Sequence, residues 1–153
     1  MTTKTQAESI LLERLEGSLP IIPANGYNIT PGQMLTSDVE WPNSSFRNKK
    51  EKQVFIDGLS ITYAESQNAA ASFGGLIRTD GIFVILVRVP KRTGWKISTS
   101  IIDQLESLFR KQRIGLNNEV CLENIQIDNL GFVDAWYTKQ INVFFYIEEQ
   151  LNV

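Results

Sequence analysis

The sequence predicts an α+β fold: a mostly antiparallel four- to five-stranded sheet with two helices packed on one face. Three observations carry this. The run Leu76–Val89 holds an unbroken apolar core, Ile82–Val87, and stops at Pro90, which cannot continue a hydrogen-bonded ladder. Residues 94–113, GWKISTSIIDQLESLFRKQR, return apolar side chains at helical spacing. The chain closes on two alternating runs, Val120–Ile127 and 134–147, with the period of two of half-buried strands. The order helix, long connection, strand, strand, helix, strand, strand places helices over antiparallel strands in two layers. No internal repeat or boundary divides residues 1–153, so one domain is expected.

Residues 3–19 form the first expected helix. Ile10, Leu11, Leu15 and Leu19 make its apolar stripe, and Leu12 widens it. Thr5 and Glu8 have capping-box spacing, and Thr3 is an alternative cap. Gly17 and Pro20 end the helix. Residues 20–52 read as a long connection punctuated by Pro20, Pro23, Gly26, Pro31, Gly32 and Pro42. Within it, Tyr27, Ile29, Met34, Leu35 and Val39 form either one short edge strand or an irregular run on the core. A strand over 53–64 changes its apolar parity at Asp57-Gly58, which signals a bulge.

Residues 65–75, ESQNAAASFGG, read as a flexible loop or hairpin arm, and Leu76–Asp80 as the base of that arm. Both faces of the strand ending at Val89 are apolar, so it is expected to be interior and covered on both sides. In the second helix Trp95, Ile102, Leu105 and Phe109 share one side. Arg110, Lys111 and Arg113 fall in its last turn, where cations favour the helix dipole, and Gly115 supplies the stop. Asp128-Asn-Leu-Gly131 reads as the turn before the final strand. In that strand Ile141, Val143, Phe145 and Ile147 take one face. Trp136, Thr138, Gln140, Asn142, Phe144 and Tyr146 take the other, a mixed face open to solvent or to another subunit.

Composition narrows the chemistry. Hydrophobic content of 42% and charged content of 21% fit a folded globular chain of 153 residues. The formal charge of −2 gives no global attraction for nucleic acid or an anionic membrane. There is no histidine, which removes the commonest general base and zinc ligand, and the single cysteine, Cys121, has no partner for a disulfide. No stretch approaches the roughly 20 apolar residues of a spanning helix, and the first eight residues lack a signal-peptide core. A protein of the reducing cytosol is expected.

Specific sites are few. Asp57, Asp80, Asp103, Glu106, Asp128 and Asp134 show no spacing that implies a shared acid–base pair. Lys91-Arg-Thr-Gly94 before a helix is a candidate anion site, but it lacks the glycine pattern of a phosphate loop and reads better as a basic strand-to-helix joint. The run Arg47-Asn-Lys-Lys-Glu-Lys52 reads as a solvated turn or a contact for an acidic partner. Trp41 needs a place to bury its ring, either as a cap on the core or as an anchor on a neighbouring subunit. No catalytic residue, metal site or cofactor is expected.

The order of these features carries a family resemblance. Trp41-Pro-Asn43 followed by Phe46, then Arg78-Thr-Asp-Gly81, Val87-Arg-Val-Pro90, Gly94, Leu108-Phe109 and the closing Trp136…Val143-Phe144 strand resemble the tail terminator-like proteins of long-tailed bacteriophages and prophages. The likeness covers most of the chain. It departs at Arg47–Gln53, which is more basic than the Pro-rich polar stretch of that family.

The resemblance implies a structural virion protein, not an enzyme, located at the head-proximal end of the tail after assembly in the host cytoplasm. It would form a homohexameric ring on the finished tail tube, end tube polymerisation and offer a docking surface for head-completion or connector proteins. Its expected partners are other copies of itself, the tail tube protein and the connector, with no membrane and no direct nucleic-acid recognition. Trp41, Phe46, Phe73, Arg78, Trp136, Phe144 and Tyr146 are the expected subunit or ring contacts. Other readings of the same features are a different neck or tail-completion adaptor and, more distantly, a host-side protein-binding module.

Overall fold

The computed structural model describes residues 2–24, 29–42, 53–64, 76–91, 93 and 95–150. The chain runs through α1 (Lys4–Gly17), β1 (Ile21–Ile22), β2 (Gly32–Gln33), a 3₁₀ turn at Thr36–Asp38, β3 (Phe55–Tyr63), β4 (Leu76–Pro90), α2 (Trp95–Leu108), β5 (Gln112–Ile114), β6 (Val120–Val133) and β7 (Trp136–Gln150). Five strands form one antiparallel sheet in the order β3-β4-β7-β6-β5, and β1 and β2 pair separately. The fold is the α+β class that the sequence predicts.

The capping box of α1 is built on Thr3 and not on Thr5. The Gln6 amide donates to the Thr3 hydroxyl at 3.1 Å, and the Thr3 amide donates to the Gln6 side chain at 2.9 Å. The helix starts this early because Thr2 is already tied to the sheet, its amide donating to the Glu148 carbonyl at 3.0 Å. Ala7, Leu11 and Leu15, four residues apart, are fully buried, with Ile10 and Leu12 packed at the margin. The connection after α1 lies on the core irregularly. Ile22, Ile29, Met34 and Val39 are buried, Leu35 is exposed and Tyr27 lies outside the described residues; the strand pairings of its described residues are the short β1–β2 ladder and a single parallel bridge from Val39 to Ile56 of β3. The Gln104 side-chain amide brackets Ile21, accepting from its N–H at 2.7 Å and donating to its carbonyl at 2.8 Å.

The bulge expected in β3 is present. Pairing with β4 shifts register between Asp57 and Ser60, and Gly58 has φ +60°. A side chain there would also collide with Leu86, whose Cδ1 lies 2.5 Å from an ideal Cβ.

In β4, Phe83, Ile85, Val87 and Val89 are buried against the helices, while Ile82, Val84, Leu86 and Arg88 are half-buried on the reverse. The strand is interior, lying between β3 and β7. The expectation of cover on both faces is corrected, since the described helices lie on one side. The arm reading of Leu76–Asp80 is corrected too: these residues pair with Gln150–Tyr146 of β7. The loop 65–75 itself lies outside the described residues.

The second helix is shorter than its apolar spacing predicts. It ends at Leu108, so Arg110, Lys111 and Arg113 do not sit in its last turn, and Arg113 belongs to β5. The free Leu108 carbonyl is instead capped by Arg14 of α1, whose Nε donates at 2.7 Å, and by the Gln112 side chain at 3.2 Å. Gly115, with φ +100°, turns the chain between β5 and β6. Trp95 leaves the core stripe: it opens the first turn at 69% exposure, and the buried stripe is Ile97, Ile101, Ile102 and Leu105, with Phe109 just beyond.

Beyond Asp128 the sequence misleads most. Residues 128–131 do not turn. The Asn129 side chain accepts from the Gly131 amide at 3.0 Å, Gly131 takes φ +72°, and the extra residue is absorbed as a bulge. Pairing then continues to Val133↔Trp136, and the turn is made at Asp134-Ala135, with Asp134 at φ 55°.

Edge-on aromatic contacts tie the layers together. Phe83 meets Phe109 at 5.6 Å, and Tyr63 meets Phe145 at 5.9 Å. The Tyr63 hydroxyl donates to the Lys4 carbonyl at 3.2 Å. Burial, with Glu8 and Glu149 nearby, pushes its phenol well above the ordinary tyrosine range. Gly81 sits opposite Phe145, and an ideal Cβ there would lie 2.4 Å from the ring. Substituting Gly81→Ala should therefore overpack this contact and cost about 1–3 kcal/mol. A urea midpoint equal to wild type would show that the ring moves aside freely.

Candidate functional site

The two helices occupy one face of the sheet, and the strand alternation assigns the other. Register places Arg78 and Glu148, Asp80 and Tyr146, Ile82 and Phe144, Val84 and Asn142, Leu86 and Gln140, Arg88 and Thr138, and Pro90 and Trp136 side by side across β4 and β7 on that second face. Of the seven residues expected as contacts, Arg78, Trp136, Phe144 and Tyr146 are brought together here. Trp41 is not. It is half-buried beside β3, packed against the core, and its Nε1 donates to the Thr36 carbonyl at 3.0 Å. Phe46 and Phe73 lie outside the described residues.

One end of the face is charged. The Arg78 guanidinium stacks 4.0 Å above the Tyr146 ring, pairs with Asp80 at 2.9 Å and reaches Glu123 of β6 at 2.5 Å. Hydrogen bonding to Asp80 raises its pKa further. Arg113 donates to the Tyr146 hydroxyl at 3.2 Å from the opposite side. The Tyr146 phenol is nonetheless held above its ordinary range, chiefly by hydrogen bonding to the neighbouring Cys121 thiol, against the pull of Arg113 and Arg78. These side chains are about half exposed, so the ion pairs fix geometry more than they stabilise the fold. Next to them, Thr62, Ile82, Phe144 and Glu123 line a depression of about 480 Å³.

At the opposite end lies a drier cluster. Arg88 Nε donates to Asp57 Oδ1 at 2.7 Å, and Arg88 Nη1 donates to the buried Thr138 hydroxyl at 3.3 Å. The Phe55 ring meets Trp136 edge-on at 5.3 Å. The Trp136 indole N–H is buried without a hydrogen-bond partner among the described residues. Between the two ends runs a polar ladder. Gln140 donates to Asn142 at 2.8 Å, and Asn142 donates to Asp128 of β6 at 3.0 Å. Half-buried Ile82, Val84, Leu86 and Phe144 flank it. Polar ladder, apolar flanks and charged rim together compose a surface suited to another protein surface.

Two further features escaped the sequence reading. The far end of the β6–β7 hairpin exposes Ile127, Leu130, Phe132 and Val133. A turn at 128–131 leaves Leu130, Phe132 and Val133 outside any strand, although Phe132-Val133 before Asp134 is itself a strand-end signal. The Lys91 joint meets this hairpin: its amide donates to the Ala135 carbonyl at 3.1 Å, and its ammonium lies 5.6 Å above the Phe132 ring. Arg92 and Gly94 of that joint lie outside the described residues. No group of three or more His, Cys, Asp or Glu is placed to hold a metal among the described residues. No described helix is long and apolar enough to cross a membrane.

Comparison with known proteins gives the fold alone. No family model matches the chain, and no curated protein matches it. Among solved structures, one whose name describes no function superposes on 99% of this chain and 100% of its own, with a TM-score of 0.61 at 16% identity. Such a likeness extends the architecture to another protein and says nothing of its activity.

The two ends of the face should respond differently to mutation. Asp57→Ala would leave Arg88 partly buried without its carboxylate and should cost about 3–5 kcal/mol of stability, whereas Arg78→Ala should cost at most about 1 kcal/mol. Chemical denaturation of the two variants checks this, and equal losses would contradict the assignment of one end to the fold and the other to the surface.

Proposed function

We propose that the chain is a structural protein of a long-tailed phage or prophage that caps the tail tube as an oligomeric ring. In this role one ring face imitates the next layer of tube subunits. The other refuses a further tube layer and receives the head connector. The observation that carries the reading is the one-sided sheet. Both helices cover one face, while the other presents half-buried Ile82, Phe144 and Tyr146 beside the exposed Arg78. A subunit that must contact copies of itself and two different partners needs broad side-chain surfaces more than a pocket. The ordered motifs from Trp41 to Phe144, which resemble those of tail terminators, supply the particular role.

The test is a capping assay with tail tube protein. Added during tube assembly, the wild-type chain should stop elongation and appear by electron microscopy as a ring at tube ends. Phe144→Ser, a change at a half-buried position on the face away from the helices, should lose capping by at least about tenfold in the concentration required, with an unchanged circular dichroism spectrum showing that the monomer stays folded. Tubes that elongate unchanged beside the wild-type protein would contradict the reading. Binding to a connector without any binding to tube ends would assign the chain to another neck position.

A further inference from the structure

The outer side of β6 is a strand edge without a neighbour for most of its length. β5 pairs only with Val120–Leu122, and among the described residues no strand pairs with the outer side of 123–133. Folded proteins usually blunt such an edge with lysine, proline or a covering segment. Glu123–Val133 contains neither lysine nor proline. Bulges shift the register between Leu122 and Ile125 and again between Asn129 and Gly131, and the stretch Ile125–Asn129 between them is regular. A regular row of backbone donors and acceptors with no partner strand is the surface that an added strand satisfies.

Register and charge narrow the identity of that strand. Ile125 and Ile127 lie opposite the buried Val143 and Ile141, on the helix side of the sheet, and Ile127 is 40% exposed there. Gln126 and Asp128 lie opposite Asn142 and Gln140, on the other face. Paired strands meet face by face, so an added strand sets one parity of its side chains against isoleucine and the other against Gln126 and Asp128. From Ile114 to Thr138 the chain carries Glu119, Glu123, Asp128 and Asp134 and no lysine or arginine. Glu123 is already answered by Arg78. Asp128 accepts only from neutral amides, Asn142 at 3.0 Å and Gln126 at 3.2 Å, and pairs with no cation among the described residues. The lysines near this edge lie elsewhere: Lys139 pairs with Asn129 on the helix side, and Lys91 stands over the Phe132 ring beyond the second bulge.

We propose that Ile125–Asn129 is a strand-addition site for an extended segment of a partner protein in which apolar residues alternate with lysine or arginine. The apolar parity covers Ile125 and Ile127, and the basic parity gives Asp128 the cation it lacks. Leu130 and Phe132, exposed beyond the bulge, border the end of the added strand. The contact requires no ring and stands apart from the tube-capping reading.

Fluorescence anisotropy and amide hydrogen exchange of the full chain with a short, end-blocked peptide of alternating valine and lysine test it. The peptide should bind saturably and slow exchange in Ile125–Asn129. The same peptide with glutamate in place of lysine, or with proline at its centre, should bind at least about tenfold more weakly. Asp128→Asn keeps a side-chain oxygen for its neighbouring amides and should bring the lysine and glutamate peptides to within about threefold of each other. Asp103→Asn, at an exposed acid of α2, should leave the preference for lysine as it is. Failure of the lysine peptide to bind, protection outside β6, or equal binding of the proline peptide overturns the site. Equal effects of the two aspartate variants overturn the role of Asp128 and with it the basic partner. Protection of Ile125–Asn129 in the chain alone, rising with its own concentration, overturns the proposal in favour of self-pairing.

Discussion

Leu76–Pro90 of β4 pairs residue for residue with Trp136–Gln150 of β7, with no register shift along the ladder. The other elements take their positions from this pair. An unbroken register commits every second side chain to the same face, so Phe83, Ile85 and Val87 must point with Val143 and Ile141 toward the helices. The helices complete that layer and are tied to each other by Arg14 on the Leu108 carbonyl. The Gly81–Phe145 fit then acts as a register pin: slipping by one residue would set a side chain where the ring requires none.

The irregularities lie away from this central pair. β3 bulges at Gly58, and β6 shifts register between Leu122 and Ile125 and again between Asn129 and Gly131. Bulges twist and re-aim a strand without disturbing its neighbour's alternation. The central ladder thereby keeps its alternation intact, while the outer strands bend away from it. Both helices are spent on one face, which leaves Arg78, Phe144 and Tyr146 on a surface covered by no described helix or strand. The polar ladder of Gln140, Asn142 and Asp128 keeps that surface compatible with water.

Much of this was legible in the sequence because it depends on local periodicity. The α+β class, the Gly58 bulge, the interior place of β4 and the common face of Trp136, Phe144 and Tyr146 follow from alternation and punctuation. What was misread depends on tertiary contacts. Asn129 and Gly131 look like a turn, but their side-chain-to-backbone bond is equally at home in a bulge, and the partner strand decides between the two. Arg110–Arg113 look like a helix end, yet Arg14 from another helix holds that carbonyl and frees the chain to enter β5. Trp95 keeps the right angular phase and still leaves the core, because helical phase does not report where the facing layer stops. For Trp41 the sequence offers both a cap on the core and an anchor on a neighbour, and the structure takes the first: its ring packs on the core and its N–H finds its own loop.

The central claim is that the surface away from the helices, with the β6 edge, is where this chain meets its partners. Amide hydrogen exchange compared between the free chain and the chain bound at tail-tube ends addresses it most directly. The account predicts slowed exchange in Glu123–Val133 on binding, with the outer turns of α1 and α2 unchanged. Protection confined to α1 and α2, with β6 exchanging as in the free chain, would contradict it.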